Sequence, residues 1–396
     1  MGIQRMRVLV VSEVSGYMHG GVPAETGHLI RGLAARGHET ALAGDISVPG
    51  GEAARLVPIT IPTGPRLASQ LCEAVQAFAP DFIHVMAMSS TGVARISREL
   101  RSHAWALTCH SIPPYERKLP ALHGNEAAHY AARSLRFLMN SQAWKWLFRR
   151  RAMPHVIVHS EWVRDVVVRY GYDRDRTSLI SLGCHEEPQA RLANRRSDFP
   201  DGPHIVSTGG IAHTKGQHDA ITALARVRHR FPKLRYQIIG EVRDGSYVAF
   251  LHGLTERLQL QDCVRITPNL PHEEKQRALE RADLYVQPSH EEGFCLAYVE
   301  AAAIVPRLVG TDTGAIRLIS EGDVAARVVP VRQPRELAHA IEGLLTQTVP
   351  DDVMTHRMRR LNERFGWGRY LDAHEALYRR LALTVESSNG AARQFA

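Results

Sequence analysis

The segment PSHEEGFCLAYVEAA (288–302) sets two glutamates, Glu292 and Glu300, eight residues apart around a point where a strand gives way to a helix. The strand ends near Ser289, Glu292 and Gly293 make a turn, and a helix starts around Cys295. The start of a helix offers unpaired backbone N–H groups and a positive dipole end, which suit a diphosphate. Gly293 lets the backbone approach a ligand closely. A carboxylate in the turn can accept from sugar hydroxyls, and one further along the helix can accept from ribose hydroxyls. On spacing alone, a solvated pair of glutamates is the simpler description.

Such residues act only if strands and helices hold them in place. RVLVVSE (7–13) reads as a central parallel strand, followed by a glycine-containing loop, Gly16 to Gly21. TGHLIRGLAARG (26–37) has helical apolar spacing and stops at Gly37. HETALAG (38–44), DFIHVMA (81–87), WALTCHS (105–111) and HVIVHS (155–160) read as further strands. The rhythm repeats in the second half. HIVSTGG (204–210), LRYQIIGE (234–241), CVRITPN (263–269), DLYVQPS (283–289) and PRLVGTD (306–312) are strands, and GQHDAITALARVRHRF (216–231) is an amphipathic helix. The β-α-β alternation predicts an α/β chain of two doubly wound parallel sheets. Ligands of such sheets sit beyond the carboxyl ends of the strands, so two sheets facing one another would form a cleft. The expected division is a first domain over 1–189, a polar linker with Pro and Gly over 190–203, a second domain over 204–365, and a helical tail over 366–396.

Composition narrows the class. The chain has 396 residues, 44% apolar and 23% charged, as expected of a globular protein with a sizeable core in each half. No apolar stretch long enough to span a membrane occurs, and the N-terminus has no secretory layout. Its five cysteines (Cys72, Cys109, Cys184, Cys263, Cys295) are scattered without a C-x-x-C pair. That suggests neither a zinc site nor a disulfide framework, and a cytoplasmic location follows by default. The formal charge of +8 suits an anionic partner, such as a nucleotide, an acidic membrane or a nucleic acid, and equally an arginine-rich surface with no special target. No nucleic-acid-binding motif accompanies the charge.

The block E-G-F-x-L-x-x-x-E after a strand resembles the E-x7-E signature of the family 4 GT-B glycosyltransferases, which are retaining nucleotide-sugar enzymes. Other segments resemble that family in the same order: GGVPAETGHLIRGLAARGHE (20–39), DFIHV (81–85), LTCHS (107–111), HVIVHSEWVRDVVVRYG (155–171), STGGIAHTKG (207–216), TDTGAIRLI (311–319) and RFGWGRYLDAHEALYRRL (364–381). Together they cover nearly the whole chain. The resemblance implies a GT-B fold with the donor bound mainly by the C-terminal domain and the acceptor by N-terminal loops. It implies that Lys215 contacts the donor diphosphate, that Glu292 holds hydroxyls of the donor sugar and that Glu300 holds the ribose. Phe294, Cys295 and Leu296 would offer backbone N–H groups, Gly20 and Gly21 would approach the donor phosphate, and His110 would face the donor sugar. A lone histidine after a strand is also often structural.

The chain departs from the family at two places. Gly209-Gly210 stands where relatives carry an arginine, with His213 as a candidate replacement, and Ala297 stands for a frequent proline. The chemistry implied is front-face displacement with retention through an oxocarbenium-like state, the leaving diphosphate being stabilised by lysine and helix N-terminus. No cofactor is implied beyond a UDP- or GDP-linked sugar as co-substrate, and no metal. Two alternatives are a non-catalytic nucleotide-sugar-binding relative and a GT-B nucleotide-sugar epimerase. The segment SLRFLMNSQAWKWLFRRRAMPH (134–155) mixes aromatic and basic residues and fits either an anionic membrane surface or a packed helix with a solvated basic end.

Overall fold

Runs of Val, Ile, Leu and Ala with little polar alternation make strands covered on both faces, and the computed structural model arranges them as two parallel sheets. It describes residues 5–12, 21–44, 51–57, 66–110, 139–183 and 201–394. The chain divides into two units, Met1–Leu182 with Trp367–Ala396, and Gly183–Gly366.

The first unit has a seven-stranded sheet in the order β3-β2-β1-β4-β5-β6-β7. Its strands are β1 (Arg7–Ser12), β2 (Glu39–Gly44), β3 (Arg55–Val57), β4 (Phe82–Ala87), β5 (Trp105–Cys109), β6 (Val156–Val158) and β7 (Thr177–Leu179). Val8 to Val11 are fully buried at its centre. The helices are α1 (Gly21–Ala35), α2 (Leu67–Phe78), α3 (Ser90–Glu99), α4 (139–149) and α5 (Glu161–Arg169). Ser89 and Ser160 cap α3 and α5 by accepting from the N–H groups of Gly92 and Val163. The sheet order reverses between β1 and β4.

The second unit has a six-stranded sheet in the order β10-β9-β8-β11-β12-β13. Its elements in chain order are β8 (His204–Thr208), α6 (Gln217–Arg230), β9 (Arg235–Gly240), α7 (Gly245–Arg257), β10 (Val264–Pro268), α8 (His272–Arg281), β11 (Leu284–Gln287), α9 (Leu296–Ala302), β12 (Arg307–Thr311), α10 (Ile316–Ser320), β13 (Ala326–Val329), α11 (Pro334–Thr346) and α12 (Val353–Phe365). Here the order reverses between β8 and β11. The loops that leave these two strands carry Lys215 and Glu292, so both emerge at the switch point where open α/β sheets bind ligands.

The tail folds as one helix, α13 (Trp367–Gln394). It belongs to the first unit. Trp367 stacks on His28 of α1 at 4.0 Å, and Arg36 donates to Asp372 at 2.7 Å and to the Gly368 carbonyl at 3.1 Å. The sequence reading missed β3, β7 and β13. Each is an edge strand of three or four residues, too short to show a period. Among the described residues, no helix is long and apolar enough to cross a membrane. Cys72, Cys109, Cys263 and Cys295 are free thiols; Cys184 lies outside the described residues.

Candidate functional site

Lys215 closes a short turn after β8, and Gly216 behind it begins α6. Gly216 has φ +64°, and a Cβ there would lie 2.0 Å from the Pro288 carbonyl oxygen, so only glycine lets the two loops meet. His290 fastens the same junction. Its N–H donates to the Thr214 carbonyl at 2.8 Å, and its Nε2 lies 2.7 Å from Asp219 Oδ2 at the start of α6.

This junction brings Lys215 and Glu292 together although 77 residues separate them. Lys215 Nζ donates to Glu292 Oε1 at 2.7 Å and to Oε2 at 2.8 Å. Burial opposes the ammonium charge, but the Glu292 carboxylate outweighs it and holds the lysine pKa above its ordinary value. Oε1 also accepts from Ser289 Oγ at 2.7 Å and Gln287 Nε2 at 3.2 Å. Gln287 in turn accepts from the Tyr285 hydroxyl at 2.5 Å, and Tyr285 accepts from the Thr208 N–H at 3.4 Å. A buried polar chain thus runs from the end of β8 to the Glu292 carboxylate. It fixes that carboxylate while Oε2 keeps acceptor capacity and Nζ keeps a further donor.

The sequence-derived start of α9 falls within a residue of its observed one. Cys295 occupies the N-cap in the left-handed region, at φ 86° and ψ 66°, a strained place for a non-glycine residue. Its thiol is buried and pushed well above the ordinary range, first by burial and then by the facing Glu292. The N–H groups of Phe294, Cys295 and Leu296 precede the first hydrogen bond of α9, from the Tyr298 N–H to the Cys295 carbonyl. The Phe294 ring itself is core, edge-on to Phe365 at 5.5 Å. Gly293 is half-buried in the turn. Glu300 is not part of the Lys215 pair. It is 41% exposed and faces Lys275 of α8, whose Nζ lies 3.3 Å from Oε2. His213 packs its ring against His218, Tyr247 and His290, at 4.8, 5.5 and 6.0 Å.

His110 stands at the carboxyl end of β5 in the first unit, and its partner was not foreseen. Glu25 of α1 is fully buried, with Oε2 2.8 Å from His110 Nε2 and Oε1 3.1 Å from His159 Nε2. The Tyr370 hydroxyl of α13 donates to Oε1 at 2.7 Å, and His159 Nδ1 donates to the Ile180 carbonyl at 2.7 Å. Burial alone would raise the Glu25 pKa, but His159 and His110 hold it well below the usual carboxylate range. Against its own burial, His159 is raised by Glu25. Glu25 therefore ties α1 and α13 to the residues that follow β5 and β6. Gly21 opens α1 and is exposed, while Gly20 lies outside the described residues.

Among the described residues, two groups have spacing that would suit a metal ion: Glu25, His110 and His159, and His218, Asp219 and His290. Both are engaged in hydrogen bonds or ion pairs within the protein. A groove of about 770 Å³ lined by His204, Arg235, Arg265 and Asp283 opens at the amino ends of β8 to β10, opposite the ends that carry Lys215 and Glu292.

The family described as "Glycosyl transferases group 1" matches residues 191–363, and "Glycosyltransferase Family 4" matches 19–187. The chain belongs to the group 1, family 4 glycosyltransferases. A D-inositol 3-phosphate glycosyltransferase of Kineococcus radiotolerans is 27% identical over 249 residues, 58% of this chain and 57% of the relative. This family 4 chain spans about half the length of the curated relatives it matches. Sucrose-phosphate synthase of Thermosynechococcus elongatus superposes with a TM-score of 0.74 at 19% identity, over 96% of this chain and 100% of the other. Anabaena HepE in complex with UDP and glucose gives 0.70 at 18%, over 97% and 100%. These likenesses establish the GT-B fold.

Proposed function

We propose that this family 4 chain transfers a sugar, with retention, from a UDP- or GDP-linked donor to a hydroxyl-bearing acceptor. The observation that carries the reading is the Lys215–Glu292 pair at the β8/β11 switch point, a cation and a carboxylate fixed side by side. Lys215 would direct its further donor to the diphosphate, with the N–H groups at the start of α9 beside it. Glu292 would accept from the sugar hydroxyls. The bond between the anomeric carbon and the diphosphate oxygen breaks, its electron pair leaving on the diphosphate. The acceptor oxygen bonds to that carbon from the same face, and its proton passes to the departing phosphate oxygen. A UDP complex of the similarly folded HepE supports the donor class.

The reading is tested by sugar transfer from a panel of nucleotide sugars, with and without exhaustive chelation. Chelated enzyme is expected to keep most of its rate, because the proposed leaving-group charge is met by Lys215 and backbone N–H groups. Complete loss with EDTA, restored by manganese or magnesium, would replace this mechanism with a metal-assisted one.

The two glutamates are expected to act differently. Glu300→Ala should weaken binding of the free nucleotide diphosphate, since its proposed partner is the ribose. Glu292→Ala should depress turnover more than nucleotide affinity, since its proposed partner is the sugar. Isothermal titration with UDP and GDP separates them, and equal losses of nucleotide affinity would contradict the assignment.

We also propose a cytoplasmic enzyme that works against an anionic membrane, which the free thiols and α4 support. In α4, Trp144, Leu147 and Phe148 are buried, while Met139 and Trp146 are 66% and 51% exposed. Arg149, Arg150 and Arg151 are exposed, with Arg150 over the Trp146 ring at 4.8 Å. An aromatic with basic neighbours suits a headgroup boundary. Co-sedimentation with phosphatidylserine vesicles should fall about tenfold or more for Trp146→Ala combined with Arg149→Ala and Arg150→Ala. Equal sedimentation of both proteins would remove the membrane from the proposal.

A further inference from the structure

Gly210 stands in the loop that leads from β8 to Lys215 and brings no side chain to it. The neighbouring strand supplies a guanidinium at that place. Beyond the ends of β8 and β9 the two chains stay laced together. The Gly209 N–H donates to the Ile239 carbonyl at 3.0 Å, the Ile211 N–H to Glu241 at 2.7 Å, and the Arg243 N–H to Ile211 at 3.2 Å. Ile211 and Val242 form a parallel bridge. The backbone of Arg243 is thereby fixed beside the loop that leads to Lys215.

Its side chain lies over Gly210. A Cβ added there would be 2.7 Å from Arg243 Nε, 2.8 Å from Cδ and 3.1 Å from Cζ. A side chain at position 210 and the present position of Arg243 exclude each other. Arg243 also acts on Lys215 through its charge, opposing the protonation that Glu292 favours. Arg243 Nε also lies 3.6 Å from Glu241 Oε2, and the side chain is 38% exposed.

We infer that Arg243 is the second cation of the donor diphosphate site, reaching from the end of β9 over the space that Gly210 leaves. The inference rests on the donor reading above. A guanidinium fork can span two phosphate oxygens, where a lysine meets them as a point charge. It stays charged at every working pH.

The test is titration of the full chain with UDP and GDP, and with uridine and guanosine as phosphate-free controls. Arg243→Gln keeps much of the stem and removes the charge. It should weaken diphosphate binding about ten- to a hundredfold and leave nucleoside binding unchanged, which also shows that the variant is folded. Gly210→Arg placed in the Arg243→Gln background should recover most of the lost affinity, because it returns a guanidinium to the space that the two positions share. Normal diphosphate affinity in Arg243→Gln, equal loss of nucleoside binding, or no recovery in the double variant would overturn the inference. If Lys215→Ala loses diphosphate affinity while Arg243→Gln does not, only the role of Arg243 falls. If the wild type binds neither diphosphate, or neither variant changes the affinity, the donor reading itself falls.

Discussion

Lys215→Ala is expected to weaken nucleotide-diphosphate binding by roughly ten- to more than a hundredfold, the loss of one charged hydrogen bond of about 1.5–3 kcal/mol. Turnover should fall further, because charge on the leaving group grows in the transition state. The structure adds a second cost. Glu292 is only 8% exposed, and without Lys215 its carboxylate keeps Ser289 and Gln287 but loses its cation. An uncompensated carboxylate beside the phosphates repels the ligand that the lysine attracted. The effect should therefore lie toward the upper end of that range. Adding Glu292→Gln to Lys215→Ala should restore part of the diphosphate affinity while leaving transfer low. A double-mutant cycle in titration and transfer assays reads both. Near-normal transfer by Lys215→Ala would mean that the donor site lies elsewhere.

Glu25→Ala is expected to destabilise the first unit by about 3–5 kcal/mol, the cost of removing one partner from a buried ion pair. His159, Tyr370 and His110 all lose their shared acceptor. The pH dependence gives the sign. The native Glu25 pKa is depressed, so its contribution is present above the unfolded value of about 4.3 and is lost as pH falls through the native one. The native His159 pKa is raised, so its contribution is full below about 6.5 and is lost as pH rises through the native value. These are two views of one pair, which stabilises most between those unfolded values. Urea unfolding across pH 2 to 9 should show the variant losing most stability between about pH 4.3 and 6.5, with both limbs flattened. A wild-type and variant difference that does not change with pH would reject the ion pair as the source. Transfer should fall as well, because Glu25 orients His110.

By itself the sequence determined the class of fold and the places where chemistry could sit. The apolar runs at 7–13, 81–87, 204–210 and 283–289 each became a strand, because a strand buried on both faces must be apolar whatever packs against it. The turn at Glu292–Gly293 and the helix after Cys295 were legible because both are local. Local pattern could not reveal the edge strands β3, β7 and β13, whose pairing depends on a neighbour already being in place. Nor could it show which charged groups meet. Glu25 sits in a helix and reads as an ordinary surface glutamate, yet it is buried against His110, 85 residues on, and Tyr370, 345 residues on. Arg243 reads as a loop arginine after β9. Sheet order sets it beside Gly210, since β9 pairs with β8 and the pairing continues past the strand ends. Residue type and spacing select the candidates along the chain. The order of parallel strands, fixed only when the whole sheet forms, selects which of them become neighbours.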